Sequence, residues 1–154
     1  MKRYADLLAD AQQRIREIQP WDLRALLARP SPPLVLDIRE PSEFAQARIP
    51  GSLNVPRGVL EQACEWDFEE TVPLLAGRRD VAVVVVCRSG NRSLLAADTM
   101  RAMGFADVVS LKTGVRGWND ADAPLVDDGD CPVDGDEAEF RLAPRLRPDQ
   151  RRPD

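Results

Sequence analysis

Histidine is absent from this chain of 154 residues. Histidine is the side chain that most often moves protons near neutral pH, so any mechanism with a histidine base within the chain is excluded. Lysine is rare as well, because arginine supplies all but Lys2 and Lys112 of the 21 basic residues. We interpret the excess of arginine as base-composition bias of a genome rather than as a sign of function.

Long apolar runs and paired cysteines are also missing. No stretch approaches the roughly 18 apolar residues of a membrane span, and residues 1–20 lack the apolar core of a secretory signal. Cys64, Cys87 and Cys131 are far apart and include no C-x-x-C pair or zinc spacing. We therefore expect a cytoplasmic protein with free thiols, without a metal site and without a membrane partner. The net charge of −5 argues against nucleic acid as a partner.

The order of apolar segments predicts one α/β domain. Residues 81–86 are apolar without polar alternation, as in a central strand that is covered on both faces. Further strands are predicted over residues 34–37, 52–55 and 107–110. Helices are predicted over residues 20–29, 40–47, 94–103 and 114–120.

The two ends of the chain depart from this pattern. Apolar side chains recur at helical spacing up to Ile18, so we predict an N-terminal amphipathic helix over residues 1–18, before a domain at 19–124. Residues 125–154 are first acidic and turn-rich, and then rich in arginine and proline, which predicts a flexible tail. The acidic run superficially resembles a calcium loop but lacks the full ligand spacing, so we expect no calcium there.

Residues 87–93, Cys-Arg-Ser-Gly-Asn-Arg-Ser, point most directly to chemistry. Cys87 ends the central strand and a helix follows shortly after it. Open α/β sheets bind their ligands at this kind of junction, where backbone N–H groups at a helix N-terminus favour an anion. Nearby cations and helix N-termini also favour the thiolate, which is the nucleophilic form of cysteine.

The composition of this loop fits a cradle for an anion. Arg88 and Arg92 supply positive charge, Gly90 permits a tight turn, and Ser89 and Ser93 add hydroxyl donors. We predict that the cysteine is a nucleophile that attacks an electrophilic sulfur, phosphorus or arsenic centre. The alternative is a structural cysteine that merely ends a core strand, because free cysteine often behaves as a small apolar residue.

Four segments resemble the single-domain rhodanese family of thiosulfate-type sulfurtransferases. Residues 87–93 are similar to the active-site loop, and residues 34–44 (LVLDIREPSEF) to the first motif. Residues 47–56 (ARIPGSLNVP) are similar to the second motif, and residues 111–118 (LKTGVRGW) to the closing motif. The resemblance covers roughly residues 17–123. It implies an open, mostly parallel sheet of five strands with helices on both faces.

The resemblance also implies an activity. The Cys87 thiolate would take sulfane sulfur from thiosulfate or a similar anionic donor, and a thiol or cyanide acceptor would remove it from the resulting persulfide. The residues implied for donor binding are Arg88, Ser89, Gly90, Asn91, Arg92 and Ser93. Asp37, Arg39 and Arg48 would shape the entrance, although Asp37 and Arg39 equally fit a structural ion pair that pins loops. No cofactor is implied.

Two positions depart from the family pattern. Arg48 stands where the second motif usually has histidine, and it offers positive charge but no proton shuttle near neutral pH. Thr113 stands where the closing motif usually has the first glycine of a pair. Neither change removes the nucleophile.

Two other functions stay open. A non-catalytic interaction module or sulfur relay would exchange a persulfide at Cys87 with a protein donor or acceptor. A phosphatase or arsenate reductase of related fold would also use a cysteine. Such phosphatases place five residues between cysteine and arginine, whereas four lie between Cys87 and Arg92. The shorter loop suits a sulfur atom better than a tetrahedral phosphate.

Overall fold

Five short strands form the central sheet of the computed structural model, which describes residues 1–153. The strands are β1 (Glu17–Ile18), β2 (Leu34–Asp37), β3 (Leu53–Asn54), β4 (Val83–Val86) and β5 (Val108–Leu111). Their order across the sheet is β1-β5-β4-β2-β3, and every neighbouring pair is parallel. The predicted α/β class is confirmed, with a sheet that is parallel throughout.

Helices connect and flank these strands. They are α1 (Tyr4–Gln12), α2 (Pro20–Leu27), α3 (Pro41–Gln46), α4 (Leu60–Ala63), α5 (Asn91–Ala102), α6 (Gly114–Asp120) and α7 (Gly135–Leu142). Proline stands in the first turn of both α2 and α3, where its missing N–H costs no hydrogen bond. Among residues 1–153, no helix combines the length and the apolar character that crossing a bilayer requires.

The sheet carries an apolar core on each face. Side chains of β4 alternate, so Val83 and Val85 join one core while Val84 and Val86 join the other. The first core also takes residues from α1, α4 and α5, and the second takes residues from α2, α6 and α7. Helices therefore cover both faces, which confirms that prediction and leaves the strand ends for a site.

The helix predicted for residues 1–18 is wrong in its second half. α1 ends at Gln12, and Glu17–Ile18 is an edge strand that pairs with Ser110–Leu111 of β5. Ile15 and Ile18 are both buried, as an amphipathic helix would require. However, β-branched residues at this spacing also fit a turn followed by a strand. Residue 18 therefore lies inside the sheet and not at a domain boundary.

Residues 125–142, the C-terminal segment, are folded where the sequence predicts a flexible tail. Leu125–Val126 (β6) and Pro132–Val133 (β7) form an antiparallel hairpin, and α7 packs on α6. Ala138 and Leu142 are one helical turn apart and are buried in the second core. A few well-spaced apolar residues thus anchor a segment whose overall composition is polar.

The acidic residues of the C-terminal segment act as turn and cap formers. Asp127 Oδ1 accepts hydrogen bonds from the backbone N–H groups of Gly129 and Cys131. Asp134 caps α7 by accepting from the Glu137 N–H at 2.9 Å. The prediction of a flexible tail treated these carboxylates only as charges. It was wrong because they also accept hydrogen bonds that stabilise a turn and a helix. Residues 143–153 are exposed.

Candidate active site

Cys87 follows β4 directly, at the carboxyl edge of the sheet. α5 begins at Asn91 rather than at the predicted Leu94, so Arg92 and Ser93 belong to its first turn. Gly90 precedes the helix with a φ of 98°, a left-handed conformation that glycine adopts without steric cost. The strand and the helix thus place the thiol beneath the first turn of α5.

Polar groups of the loop that follows Cys87 enclose its sulfur atom. The backbone N–H groups of Gly90 and Ser93 donate to Sγ over 3.1 and 3.3 Å, and the Ser93 hydroxyl oxygen lies 3.4 Å from Sγ. Cys87 is only 1% exposed. Two N–H dipoles directed at one atom favour negative charge on it, so this nest can hold an anionic sulfur.

Ser110 of β5 supports the nest from below. Its hydroxyl donates to Ser93 Oγ at 2.9 Å, and the Ser93 hydroxyl is 3.0 Å from the carbonyl oxygen of Gly90, to which it donates. Both serines are buried. Sequence reasoning missed Ser110, whose only signal is one polar residue within an apolar strand.

The start of α6 holds residues 87–93, which we name the catalytic loop for their expected role, at their first two carbonyl groups. The Val115 N–H donates to the Cys87 carbonyl at 2.9 Å, and the Arg116 N–H donates to the Arg88 carbonyl at 3.0 Å. Gly114 makes this approach possible, since a Cβ there would lie 2.4 Å from the Cys87 carbonyl oxygen. The glycine that remains of the family's pair is therefore the one that the loop requires.

Thr113 fits this site in spite of its side chain. It has a φ of 68°, which is uncommon for a β-branched residue. A Cβ on Gly117 would overlap the Thr113 side chain, so the absence of a side chain at 117 gives the threonine its space. The departure from the glycine pair is thus compensated one helical turn later.

Arg92 is held by Glu43 of α3. Two nitrogen atoms of its guanidinium donate to the two carboxylate oxygens at 2.8 and 3.0 Å. These hydrogen bonds lower the pKa of Glu43 and raise that of Arg92, while partial burial of the pair opposes both shifts. Sequence reasoning missed Glu43, although it lies within the first motif as a carboxylate near the start of a helix.

The other polar residues of the catalytic loop are closer to solvent. Ser89 and Asn91 are exposed, and Arg88 is partly exposed. Within residues 1–153, no hydrogen bond or ion pair engages the Arg88 side chain, which contrasts with the paired Arg92. Arg88 is therefore available to an incoming anion.

Asp37 and Arg39 form an ion pair inside the domain. Both are 1% exposed, and an Arg39 guanidinium nitrogen donates to Asp37 Oδ2 at 2.7 Å. Arg39 also donates to the Ala47 carbonyl, and the Asn54 amide donates to both backbone carbonyls, of Asp37 and of Arg39. The pair therefore ties loops together from within the domain. This agrees with the prediction of a structural ion pair and not with the prediction that the two residues shape the entrance of the site.

Arg48 is engaged by the C-terminal segment. Its guanidinium lies 3.4 Å from Asp128 Oδ1, 3.1 Å from Asp130 Oδ1 and 4.7 Å from the centre of the Phe44 ring. Its backbone pairs with Val126. These contacts join the hairpin to α3 and do not bring Arg48 to the catalytic loop.

The remaining cysteines differ from Cys87. Burial raises the pKa of the Cys64 thiol to about 11, so it is protonated at neutral pH. Cys131 is exposed, and all three cysteines are free. The part of the chain that the structure describes contains no group of three or more histidine, cysteine, aspartate or glutamate side chains that could hold a metal ion.

A parallel α/β sheet with a cysteine in a backbone nest after its central strand defines a class of cysteine-loop domains. The chain belongs to the rhodanese-like domain family, which matches residues 19–121. The thiosulfate sulfurtransferase GlpE of Pseudomonas aeruginosa is 35% identical over 111 residues, which cover 72% of this chain and 87% of that protein. YrkF of Bacillus subtilis, named for sulfur carriage, is 33% identical over 84 residues. This match covers 54% of the chain but only 40% of YrkF.

Solved structures show the same fold. A Rhodopseudomonas palustris protein of unknown function, named as a possible tyrosine phosphatase, superposes with a TM-score of 0.74 at 30% identity. The match covers 81% of this chain and 95% of that one. The human single-domain sulfurtransferase TSTD1 superposes with a TM-score of 0.60 at 28% identity, covering 68% of this chain and 95% of its own. The predicted five-stranded rhodanese architecture is confirmed.

Proposed function

We propose that this protein is a sulfurtransferase that carries sulfane sulfur on Cys87. The observation that carries the proposal is the nest around Sγ, in which two backbone N–H groups donate to one sulfur atom. Such donors stabilise the thiolate before transfer and the persulfide anion after it. Relatives named as thiosulfate sulfurtransferases support the same chemistry.

The cycle has two displacements. The Cys87 thiolate attacks the outer sulfur of thiosulfate or a similar donor, a new S–S bond forms, and sulfite leaves with the electron pair of the broken S–S bond. An acceptor then attacks the outer sulfur of the persulfide, and Cys87 leaves as the thiolate. Cyanide becomes thiocyanate in this step, and a thiol becomes a persulfide.

The absence of histidine does not obstruct this cycle. Cys87 begins and ends as a thiolate, so no proton has to be removed from it in each turnover. The loop length favours sulfur transfer over phosphatase chemistry, since only four residues separate Cys87 from Arg92.

The polar groups of the catalytic loop have different roles in binding the sulfur donor. Arg88 meets the anionic end of the donor, since its guanidinium is unpaired within residues 1–153. Arg92 adds positive charge that Glu43 partly neutralises. Ser89 and Asn91 face solvent beside them. We place the reaction in the cytoplasm, where free thiols such as these three persist.

Intact mass measured after incubation with thiosulfate tests the proposal. One added sulfur atom on the wild type, absent from Cys87→Ser and removed by cyanide, supports it. Cys131→Ser serves as the matched control, because its thiol is exposed and lies outside the nest. A reduced Cys87 that gains no sulfur from thiosulfate but does so from a protein persulfide identifies a relay. Failure with both donors rejects the proposal, and aryl phosphates are then the next substrates.

A further inference from the structure

A cleft of about 290 Å³ lies between the first turn of α2 and the outer side of α6. It is lined by Pro20, Trp21, Thr113, Gly117, Asp120 and Ala121, among others. None of these residues belongs to the catalytic loop. A second cleft, of about 270 Å³, includes Pro33, Ala82 and Asp107 near the amino ends of the strands, so it lies at the opposite edge from Cys87.

The topology places the first cleft beside the catalytic loop. β1, β5 and β4 are consecutive parallel strands, so the residues that follow them emerge at the same edge of the sheet. Trp21 follows β1, Thr113 follows β5 and Cys87 follows β4. Two strand spacings of roughly 4.8 Å separate the ends of β1 and β4, which gives about 10 Å.

Thr113 forms a wall common to both places. It lines the cleft, and its backbone nitrogen is 3.0 Å from the position that a Cβ on Gly90 would occupy. The next residue, Gly114, lies against the Cys87 carbonyl. A molecule in the cleft is therefore separated from the catalytic loop by one backbone segment.

The chemistry of the cleft suits a cation on an apolar stem. Trp21 is 63% exposed, so its indole ring is available to a ligand. Asp120 is the only charged side chain in the lining, and within residues 1–153 it forms no ion pair. An indole face beside a carboxylate attracts ammonium or guanidinium groups. Arg24 donates to the Ala121 carbonyl at 3.5 Å from the rim and is not part of the lining.

We propose that this cleft binds a lysine or arginine side chain of a peptide acceptor whose cysteine discharges the Cys87 persulfide. The inference rests on the proposed sulfurtransferase function and names its acceptor class. An extended chain advances about 3.3 Å per residue, so the separation of about 10 Å between the ends of β1 and β4 is spanned by about three residues, and a basic residue three positions from the acceptor cysteine is the spacing to test.

The transfer balances without a further reactant. The acceptor thiolate attacks the outer sulfur of the Cys87 persulfide, and one S–S bond forms as the other breaks. Cys87 leaves as the thiolate with the electron pair of the broken bond, and the acceptor cysteine becomes the persulfide.

Matched peptides test the proposal on the full-length protein loaded with sulfur. The discharge rate of the persulfide is measured by intact mass with acetyl-Cys-Ala-Ala-Lys-amide and with the same peptide carrying norleucine in place of lysine. We expect the lysine peptide to react about five to ten times faster, a ratio typical of one cation–π contact supported by a carboxylate. We expect Trp21→Ala and Asp120→Asn each to bring the ratio of the lysine-peptide rate to the norleucine-peptide rate close to one. A general loss of activity affects both rates equally and leaves their ratio unchanged.

Trp66→Ala is the matched control, since Trp66 is another exposed tryptophan, at 54%, outside this cleft. We expect the Trp66→Ala variant to react faster with the lysine peptide than with the norleucine peptide, as the wild type does. Equal rates for the two peptides with the wild type overturn the proposal. A binding measurement on the unloaded protein, with serine replacing the peptide cysteine, separates this failure from failure of sulfur loading. Binding that needs lysine, Trp21 and Asp120 supports the cleft even where Cys87 takes no sulfur, and binding indifferent to lysine overturns it.

Discussion

Glu43 and Arg92 form a bidentate ion pair that joins α3 to the first turn of α5. Its two nitrogen–oxygen distances are 2.8 and 3.0 Å. Arg92 is a loop residue that we expect to attract the donor, so its charge is fixed in place before any donor arrives. The pair is partly exposed, which limits its strength through solvent screening. The pair therefore fixes the geometry of the catalytic loop and adds only modestly to the free energy of unfolding.

Glu43→Gln removes the charge of this pair while keeping the shape of the side chain. We expect the free energy of unfolding at pH 7 to fall by about 0.5 to 1 kcal/mol, the range for a partly exposed ion pair with good geometry. Urea unfolding of the two proteins measures the difference. Glu61→Gln, which breaks the exposed pair with Arg57, is the control and changes stability less.

The same pair gives a pH dependence whose sign is fixed. The folded state lowers the pKa of Glu43 below its ordinary value of 4.5. Its stabilisation is therefore complete above that value and is lost as the pH falls through the lowered pKa. The stability difference between wild type and Glu43→Gln should shrink toward zero as the pH is lowered from 7 to 3. A difference that stays constant over this range would contradict an electrostatic role.

Ser93→Ala tests the hydroxyl of the nest. The change removes the oxygen 3.4 Å from Cys87 Sγ and leaves the Ser110 hydroxyl without its acceptor. We expect sulfur loading from thiosulfate to slow about tenfold, because the loop that directs the Gly90 and Ser93 N–H groups at Sγ loses the hydrogen bonds that Ser93 makes with Gly90 and Ser110. Single-turnover loading, followed by mass, provides the rate.

Ser52→Ala is the matched control for this variant. Ser52 donates to the carbonyl of Ile49, three residues earlier, as Ser93 donates to the carbonyl of Gly90. Loss of such a local bond alone lowers stability in both variants. Equal loading rates in Ser93→Ala and Ser52→Ala would show that the Ser93 hydroxyl has no part in the chemistry.

The central strand and the tight turn that follows Cys87 were predictable from local pattern. The run of valines before Cys87 has no polar residue, as in a strand covered on both faces, and Gly90 has the conformational freedom that a tight turn needs. Glu43 and Ser110 were not predictable in the same way. Each reaches the loop across a long stretch of chain, and only the strand order decides which distant side chain arrives there.

The predictions for the two ends of the chain were wrong for a different reason. Ile15 and Ile18 fit the period of a helix, but residues 17 and 18 pair with β5, and the Ile18 carbonyl accepts from the Lys112 N–H at 2.8 Å. Ala138 and Leu142 are too few to mark a core segment by composition, and the face of α6 that they cover is not visible in the sequence. Tertiary contacts decided both cases.

Gly114→Ala should disrupt the contact between α6 and the catalytic loop. The added Cβ would lie 2.4 Å from the Cys87 carbonyl oxygen, and the φ of 61° disfavours any side chain. We expect a loss of about 2 kcal/mol or more in the free energy of unfolding, together with loss of sulfur loading. Gly58→Ala is the control, because nothing lies within 4 Å of its added Cβ. Similar stability of the two variants would contradict the close approach.

Two truncations distinguish the folded C-terminal segment from the exposed residues that follow it. Removing residues 143–154 should leave stability within about 0.5 kcal/mol, as for surface changes, because residues 143–153 are exposed. Removing residues 125–154 uncovers the face of α6 and deletes Leu125 and Leu142, which are 2% and 4% exposed.

Burial of two leucines contributes about 3 to 6 kcal/mol, so the longer truncation should lower the thermal midpoint markedly or prevent folding. Thermal unfolding followed by circular dichroism measures both proteins. Leu142→Ala within the full chain provides the intermediate case, since it creates a cavity without removing the Arg48 contacts of the hairpin. If the longer truncation unfolded at the temperature of the full chain, the segment would be an appendage. The single domain would then end with α6.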